Sequence, residues 1–250
     1  MRDTSGLIKS SAFSIGYAPV EANKKATKEG IKLSKKQAGG AFRDVRTGLW
    51  LERAAASYNI SADINDYILV PVPAIITSVP NTNGDSVSLN QLTTFMPEYG
   101  TLSYKTWIGK PCFVEHDHND ITKAKGIILD AYMVPLQKSP NFAKLVFLQA
   151  YDRTKDPHLV KNIISKAVDT YSMGLWYSSY RCSVCNAHVG KGIGSPCAHT
   201  RPGRPTYQLP DGRLAYRKCE NVVGFENSCV IDPAYAQAQS NIIWDVRDVK

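Results

Sequence analysis

Asp156-Pro-His-Leu-Val-Lys-Asn-Ile-Ile-Ser-Lys-Ala-Val-Asp-Thr-Tyr-Ser-Met-Gly-Leu175 changes its periodicity partway along. An aspartate able to accept from free amides, followed by a proline suited to the first turn, predicts a helix start at Asp156-Pro157. Leu159, Val160, Ile163, Ile164, Ala167 and Val168 then recur at helical spacing. That gives one apolar face and predicts a helix ending near Asp169. From Tyr171 to Tyr180 the composition turns strand-like, so Ser172 is expected at the start of a strand that follows a packed helix.

The neighbouring segments read mostly as strands. Lys123 to Val134 and Ala143 to Tyr151, separated by the loop-like stretch Pro135 to Asn141, predict a hairpin. Tyr67 to Thr77 is rich in β-formers, and its two prolines push it toward a sheet edge. It marks the start of the folded domain. Pro80-Asn-Thr-Asn-Gly-Asp85 reads as a loop, and Ser88 as the cap of a short helix. Glu220 to Tyr235 reads as a final strand and turn, and Ala236 to Lys250 as a tail.

The chain of 250 residues carries a net charge of +8, and the distribution of that charge decides its meaning. Residues 1–56 hold 11 Lys and Arg against 5 Asp and Glu, whereas residues 57–250 hold 19 against 17. The basicity therefore belongs to an N-terminal arm, so no specific nucleic-acid partner is expected. The arm reads either as a solvated segment or as one that docks on a partner or on its own core; Arg43 to Tyr58 within it suits a short amphipathic helix. No apolar run approaches the roughly 18 to 20 residues of a membrane helix, and Met1-Arg-Asp-Thr-Ser lacks the marks of a secretory signal. The expectation is a soluble chain with no membrane partner, kept in a cytosol-like compartment.

Two groups of residues carry candidate chemistry. Ser172 and His116, in Phe113-Val-Glu-His-Asp-His-Asn119, would form a nucleophile and its general base if they meet in space. Gly174 lets backbone approach closely just after the serine. The second group is Cys182-x2-Cys185 followed after eleven residues by Cys197-x-His199. The tight Cys-x2-Cys turn aims two thiolates at one ion, and the second pair completes a Cys3His tetrahedral set for structural Zn2+, with His188 as a reserve ligand. Four protein ligands leave no open position, so this metal is expected to brace the fold. His116 and His118 could instead form a metal pair on one strand face, and His158 reads as a surface residue.

Several of these segments together resemble the prohead (head maturation) serine proteases of tailed bacteriophages, which are similar to the herpesvirus assemblins. The resemblance runs through Pro80–Asp85, Gly109-Lys-Pro before Phe113-Val-Glu-His116, Gly126-Ile-Ile-Leu-Asp130, the helix into Tyr171-Ser-Met-Gly174, and Gly224-Phe-Glu-Asn-Ser-Cys-Val-Ile-Asp-Pro-Ala234. It implies an α+β fold, with a strongly bent, mostly antiparallel sheet or barrel flanked by helices. The division it suggests is a basic arm or propeptide-like segment over 1–66, a protease-like domain over 67–236 with a zinc insertion at 181–200, and a tail over 237–250. It further implies a serine endopeptidase with Ser172 as nucleophile and His116 as base. Asp152 is the first choice for the residue behind His116, with Asp130 and His118 as alternatives. The implied substrates are scaffold and major capsid proteins inside an assembling head in the bacterial host cytoplasm, with retention in the virion and homo-oligomerisation both open. Met173 departs from the basic residue that often follows the serine in related sequences, and the simplest members lack the zinc insertion. The competing expectation is a structural virion protein, tail-tube-like or a head component, that keeps the fold without catalysis.

Overall fold

The computed structural model describes residues 8–11, 49–136, 142–201, 205–231, 233, 238–240 and 242–245. The basic tract Lys24 to Lys36, loop residues 137–141 and much of the C-terminal tail lie outside the described residues. In chain order the strands are β1 (Ile8–Ser11), β2 (Tyr67–Ile76), β3 (Asp85–Ser86), β4 (Phe95–Met96), β5 (Thr101–Leu102), β6 (Pro111–Val114), β7 (Gly126–Pro135), β8 (Ala143–Asp152), β9 (Tyr171–Tyr177), β10 (Ser179–Cys182), β11 (His188–Gly190), β12 (Tyr207–Gln208), β13 (Leu214–Ala215), β14 (Arg217–Glu220), β15 (Val223–Cys229) and β16 (Trp244–Asp245). The fold is α+β, mostly strands with few helices, and its main sheet is a strongly curled half-barrel.

That sheet has eight strands in the order β1-β9-β15-β6-β7-β8-β2-β16. All neighbours are antiparallel except β15 and β6, which run parallel. The expected hairpin is β7 paired with β8. Pro71 and Pro73 lie where β2 has β8 on one side only, because β16 pairs just Ile68 and Leu69. Their missing N–H groups therefore leave no ladder bond unmade on the open side. A smaller sheet, β11-β10-β14-β3, continues from the ends of β9 and β15.

Burial explains why the middle of β8, Leu145 to Leu148, is apolar without alternation. One face of β2, β7 and β8 contributes Val70, Val72, Ile128, Leu145 and Phe147 to the main core around Trp107. Leu69, Ile127, Leu148 and Ala150 on the other face are covered by Leu51 and Ala55 of the helix Leu49–Tyr58. A strand buried on both faces has no position that favours a polar side chain, so its sequence reads as a continuous apolar run. The end of the basic segment thus docks on the chain's own sheet.

The helix Pro157–Ile164 starts as its sequence predicts, with the Asp156 carboxylate accepting from Leu159 N at 2.9 Å. It is shorter than its apolar periodicity suggests. Ser165 closes it and Lys166 takes a left-handed φ of 62°. Val168 still packs against the main core, now from the connection into β9. Ile164 and Ala167, the other apolar residues at the end of the pattern, are exposed.

Trp107 is the hub of the core beneath the site. It is fully buried, its Nε1 donates to Gly174 O at 3.2 Å, and its ring lies 5.4 Å from that of Phe147. A Cβ added at Gly224 would fall 2.0 Å from its Cδ2. Because the indole is held on both sides it cannot yield, so Gly224→Val is expected to destabilise the fold by about 1–3 kcal/mol, as overpacking does. Denaturant melts read this directly; an unchanged midpoint would mean that Trp107 moves aside freely.

Candidate functional site

The register of β9 against β15 places Ser172. Ser172 lies opposite Ser228, and Gly174 opposite Glu226, with a bulge between Gly224 and Glu226. Directly opposed residues of an antiparallel pair project to one face, with Cβ atoms about 4.5–5.5 Å apart. Ser172, Ser228 and Glu226 therefore share a face, opposite to that on which Tyr171, Met173 and Leu175 join the core. Gly174 is required on this face, since a Cβ there would lie 2.3 Å from Glu226 Oε1 and 2.4 Å from the Phe225 ring. The missing side chain is the space the carboxylate occupies.

His116 reaches the same face from the turn after β6. Glu115 and His116 both adopt left-handed φ values, 50° and 56°, uncommon for residues other than glycine. The turn is held open in this form by Glu115 N donating to Cys229 O (2.8 Å), Asp117 N to Val114 O (3.0 Å) and the Glu115 carboxylate accepting from Ile231 N (2.7 Å). The result is a 3.1 Å contact between His116 Nδ1 and Glu226 Oε1. Glu226 is fully buried, and its other oxygen accepts from Ser228 Oγ at 2.5 Å. A buried carboxylate needs partners for both oxygens, and it has them. His116 keeps part of its ring exposed, at 25%.

The left-handed turn aims one histidine at one buried acid, and the surrounding hydrogen bonds hold it in that form. With Nδ1–H donating to Glu226, the Nε2 lone pair is free to act as a base. The Ser172 hydroxyl is buried and has no hydrogen-bond partner among the described residues. The rings of Trp176, Phe225 and His118 pack in a row, with Phe225 5.3 Å from Trp176 and 5.7 Å from His118.

The carboxylate at His116 is Glu226, which replaces the expectation of Asp152. Asp152 sits at the far end of β8, where its oxygens accept from Ser61 N, Thr154 N and Lys155 N and close a turn. Asp130 is likewise elsewhere, at the bulge of β7, accepting from Ala131 N. His158 is on the exposed side of its helix next to Asn162. Glu226 carried a readable signal: an acid inside the apolar strand Val222 to Cys229 needs a buried partner, since lone charges are almost never fully buried.

No hydrogen bond joins Ser172 to His116 among the described residues, whereas the second group does come together. The ligating atoms of Cys182, Cys185, Cys197 and His199 all lie within 4.8 Å of one another, a set that could hold a metal ion. The Cys182 turn is built for it: Val184 N points at Cys182 Sγ (3.4 Å), and Asn186 takes a left-handed φ of 58° and donates to Cys182 O. Burial pushes the Cys197 thiol up, but hydrogen bonds from Thr200, Cys185 and His199 outweigh it and bring it down to about 6. A thiolate is thereby available at neutral pH. His188 takes no part; it faces Glu220 at 3.0 Å across the small sheet. The other cysteines, Cys112, Cys219 and Cys229, are core thiols whose acidity burial suppresses.

The two groups are joined through backbone. β9 runs into β10, which carries Cys182, and β14 runs into β15, which carries Glu226, while β10 pairs with β14 from Ser179↔Glu220 to Cys182↔Arg217. A metal held by the cluster would clamp the end of β10 to the loop at Cys197 and, through the β10/β14 pairing, brace the strands that bear Ser172 and Glu226. Chelator, or Cys182→Ser, is expected to lower the melting temperature by several degrees, because a metal bound only to the folded state stabilises it. A melt indifferent to both would remove the clamp. No family model matches the chain, and neither a curated protein nor a solved structure is found to be similar to it.

Proposed function

We propose that the chain is a serine endopeptidase in which Ser172 is the nucleophile, His116 the general base and Glu226 the residue that orients His116. The observation that carries this reading is the His116–Glu226 contact on the same face of the β9/β15 pair as Ser172. Ser172 Oγ attacks the scissile carbonyl carbon while His116 Nε2 takes the hydroxyl proton. Glu226 keeps the imidazole in the Nδ1–H tautomer and stabilises the imidazolium that forms. His116 then returns the proton to the leaving amine, and the peptide C–N bond breaks to leave an ester on Ser172. A water, deprotonated by His116, hydrolyses the ester and restores the serine.

Structural zinc is the metal proposed for the Cys3His cluster, because three sulfurs and one imidazole are its preferred closed tetrahedral set. The resemblance to phage head-maturation proteases supports an assemblin-like variant of the fold, scaffold and major capsid proteins as substrates, and action inside an assembling head in the bacterial cytoplasm. No helix of the described residues is long and apolar enough to cross a membrane.

The test is covalent labelling by a fluorophosphonate followed by peptide mapping, together with turnover of scaffold protein. Ser172→Ala is expected to lose labelling and turnover with its fold intact. Glu226→Gln should keep the serine but lower kcat by about 10²–10⁴-fold, since it cannot accept and hold the Nδ1–H in the same way. Labelling of the wild type at some residue other than Ser172, or full turnover by Ser172→Ala, refutes the assignment.

A further inference from the structure

The outer edge of β9 lies beside Ser172, and the chain itself fills it. β1 runs antiparallel to β9 in the register Ile8↔Tyr177, Lys9↔Trp176, Ser10↔Leu175 and Ser11↔Gly174. Its direction is toward Ser172, and Ser11 ends two positions short of it, about 7 Å at the rise of a strand. Residues 8–11 are bound through this ladder, which is the way an extended peptide adds to an exposed sheet edge.

A second observation points to the same place. Ser172 is only 3% exposed, yet its hydroxyl has no partner among the described residues. A buried hydroxyl without a partner is a group that a ligand atom could satisfy, and it lies just beyond the end of the edge segment that β1 covers.

On the serine peptidase reading, we propose that the β9 edge is the binding site for an extended peptide substrate and that residues 8–11 are its resident competitor. A substrate strand pairs antiparallel with β9, displaces β1 and runs toward Ser172 in the direction β1 already takes. Recognition is by main-chain hydrogen bonds, so the site takes unfolded or extended segments and not folded surfaces. The arm is covalently joined to the domain through residues 12–48, so its docking is intramolecular and a competing peptide must displace a tethered segment. An arm docked nine-tenths of the time weakens the apparent affinity for a competing peptide about tenfold.

The experiment uses the full chain carrying Ser172→Ala, so that no cleavage intervenes, and a fluorescent peptide with the sequence of residues 4–13. Two arm variants are compared with the unmodified arm: Lys9→Pro with Ser11→Pro, and Ile8→Pro with Ser10→Pro. Inward N–H groups fall on alternate residues of an antiparallel ladder, so at least one pair of prolines removes them. Anisotropy titration is expected to show the peptide binding about tenfold more tightly to that variant than to the unmodified arm. Equal affinity in all three chains overturns the proposal. Failure of the two readings is distinguishable: Ser172 that labels and cleaves with KM unmoved by the prolines removes the edge site alone. Peptide binding released by the prolines in a chain whose Ser172 never labels removes the peptidase alone.

Discussion

The pairing of β9 with β15 sets where every group of the candidate site can be. Its register puts Ser172 beside Ser228, and its bulge between Gly224 and Glu226 turns the Glu226 side chain onto the serine face, over the bare Cα of Gly174. A one-residue slip would send Ser172 and Glu226 into the apolar core and bring Met173 and Tyr171 out. That exchange is prohibitive, because Tyr171, Met173 and Leu175 are buried in the main cluster. The hydrophobic core therefore specifies the polar site without touching it.

The other half of the site is held by local strain against that rigid pair. His116 stands in a turn with two successive left-handed residues, each unfavourable in isolation, and three hydrogen bonds from the turn and from the end of β15 keep it there. Glu226 gains from the arrangement as much as His116 does. Fully buried, it would carry a heavy desolvation cost without the imidazole and the Ser228 hydroxyl on its two oxygens. The contact thus stabilises an acid that the strand must bury and fixes a histidine that the turn must strain. A metal held by the Cys3His cluster would tie β10 to the loop at Cys197 and, through β10, to β14.

Much of this was legible from local patterns. The Asp156-Pro157 cap, the β7/β8 hairpin and the Ser88 cap each depend on residues a few positions apart, and each stands where its pattern places it. The Cys-x2-Cys turn is equally local, and its partners Cys197 and His199 follow across one short loop. Helix length was less legible. Of the apolar residues that prolong the period, Ile164 and Ala167 are exposed and only Val168 packs, partly buried, on the main core, so the spacing overstated the helix. Asp152 was misplaced for a related reason: a carboxylate at a strand end looks the same whether it faces a histidine or caps a turn, and here it caps a turn.

By itself the sequence determined the strands β2, β7, β8, β9 and β15, where the main helix begins, and which four residues can gather round a metal, since each follows from patterns among near neighbours in the chain. Only the tertiary structure decided that Glu226 meets His116, 110 residues away, and that residues 8–11 lie along β9. Those pairings depend on sheet order and on the register between distant strands. No local pattern encodes either, because they are settled by which whole arrangement buries the core and leaves no buried charge alone.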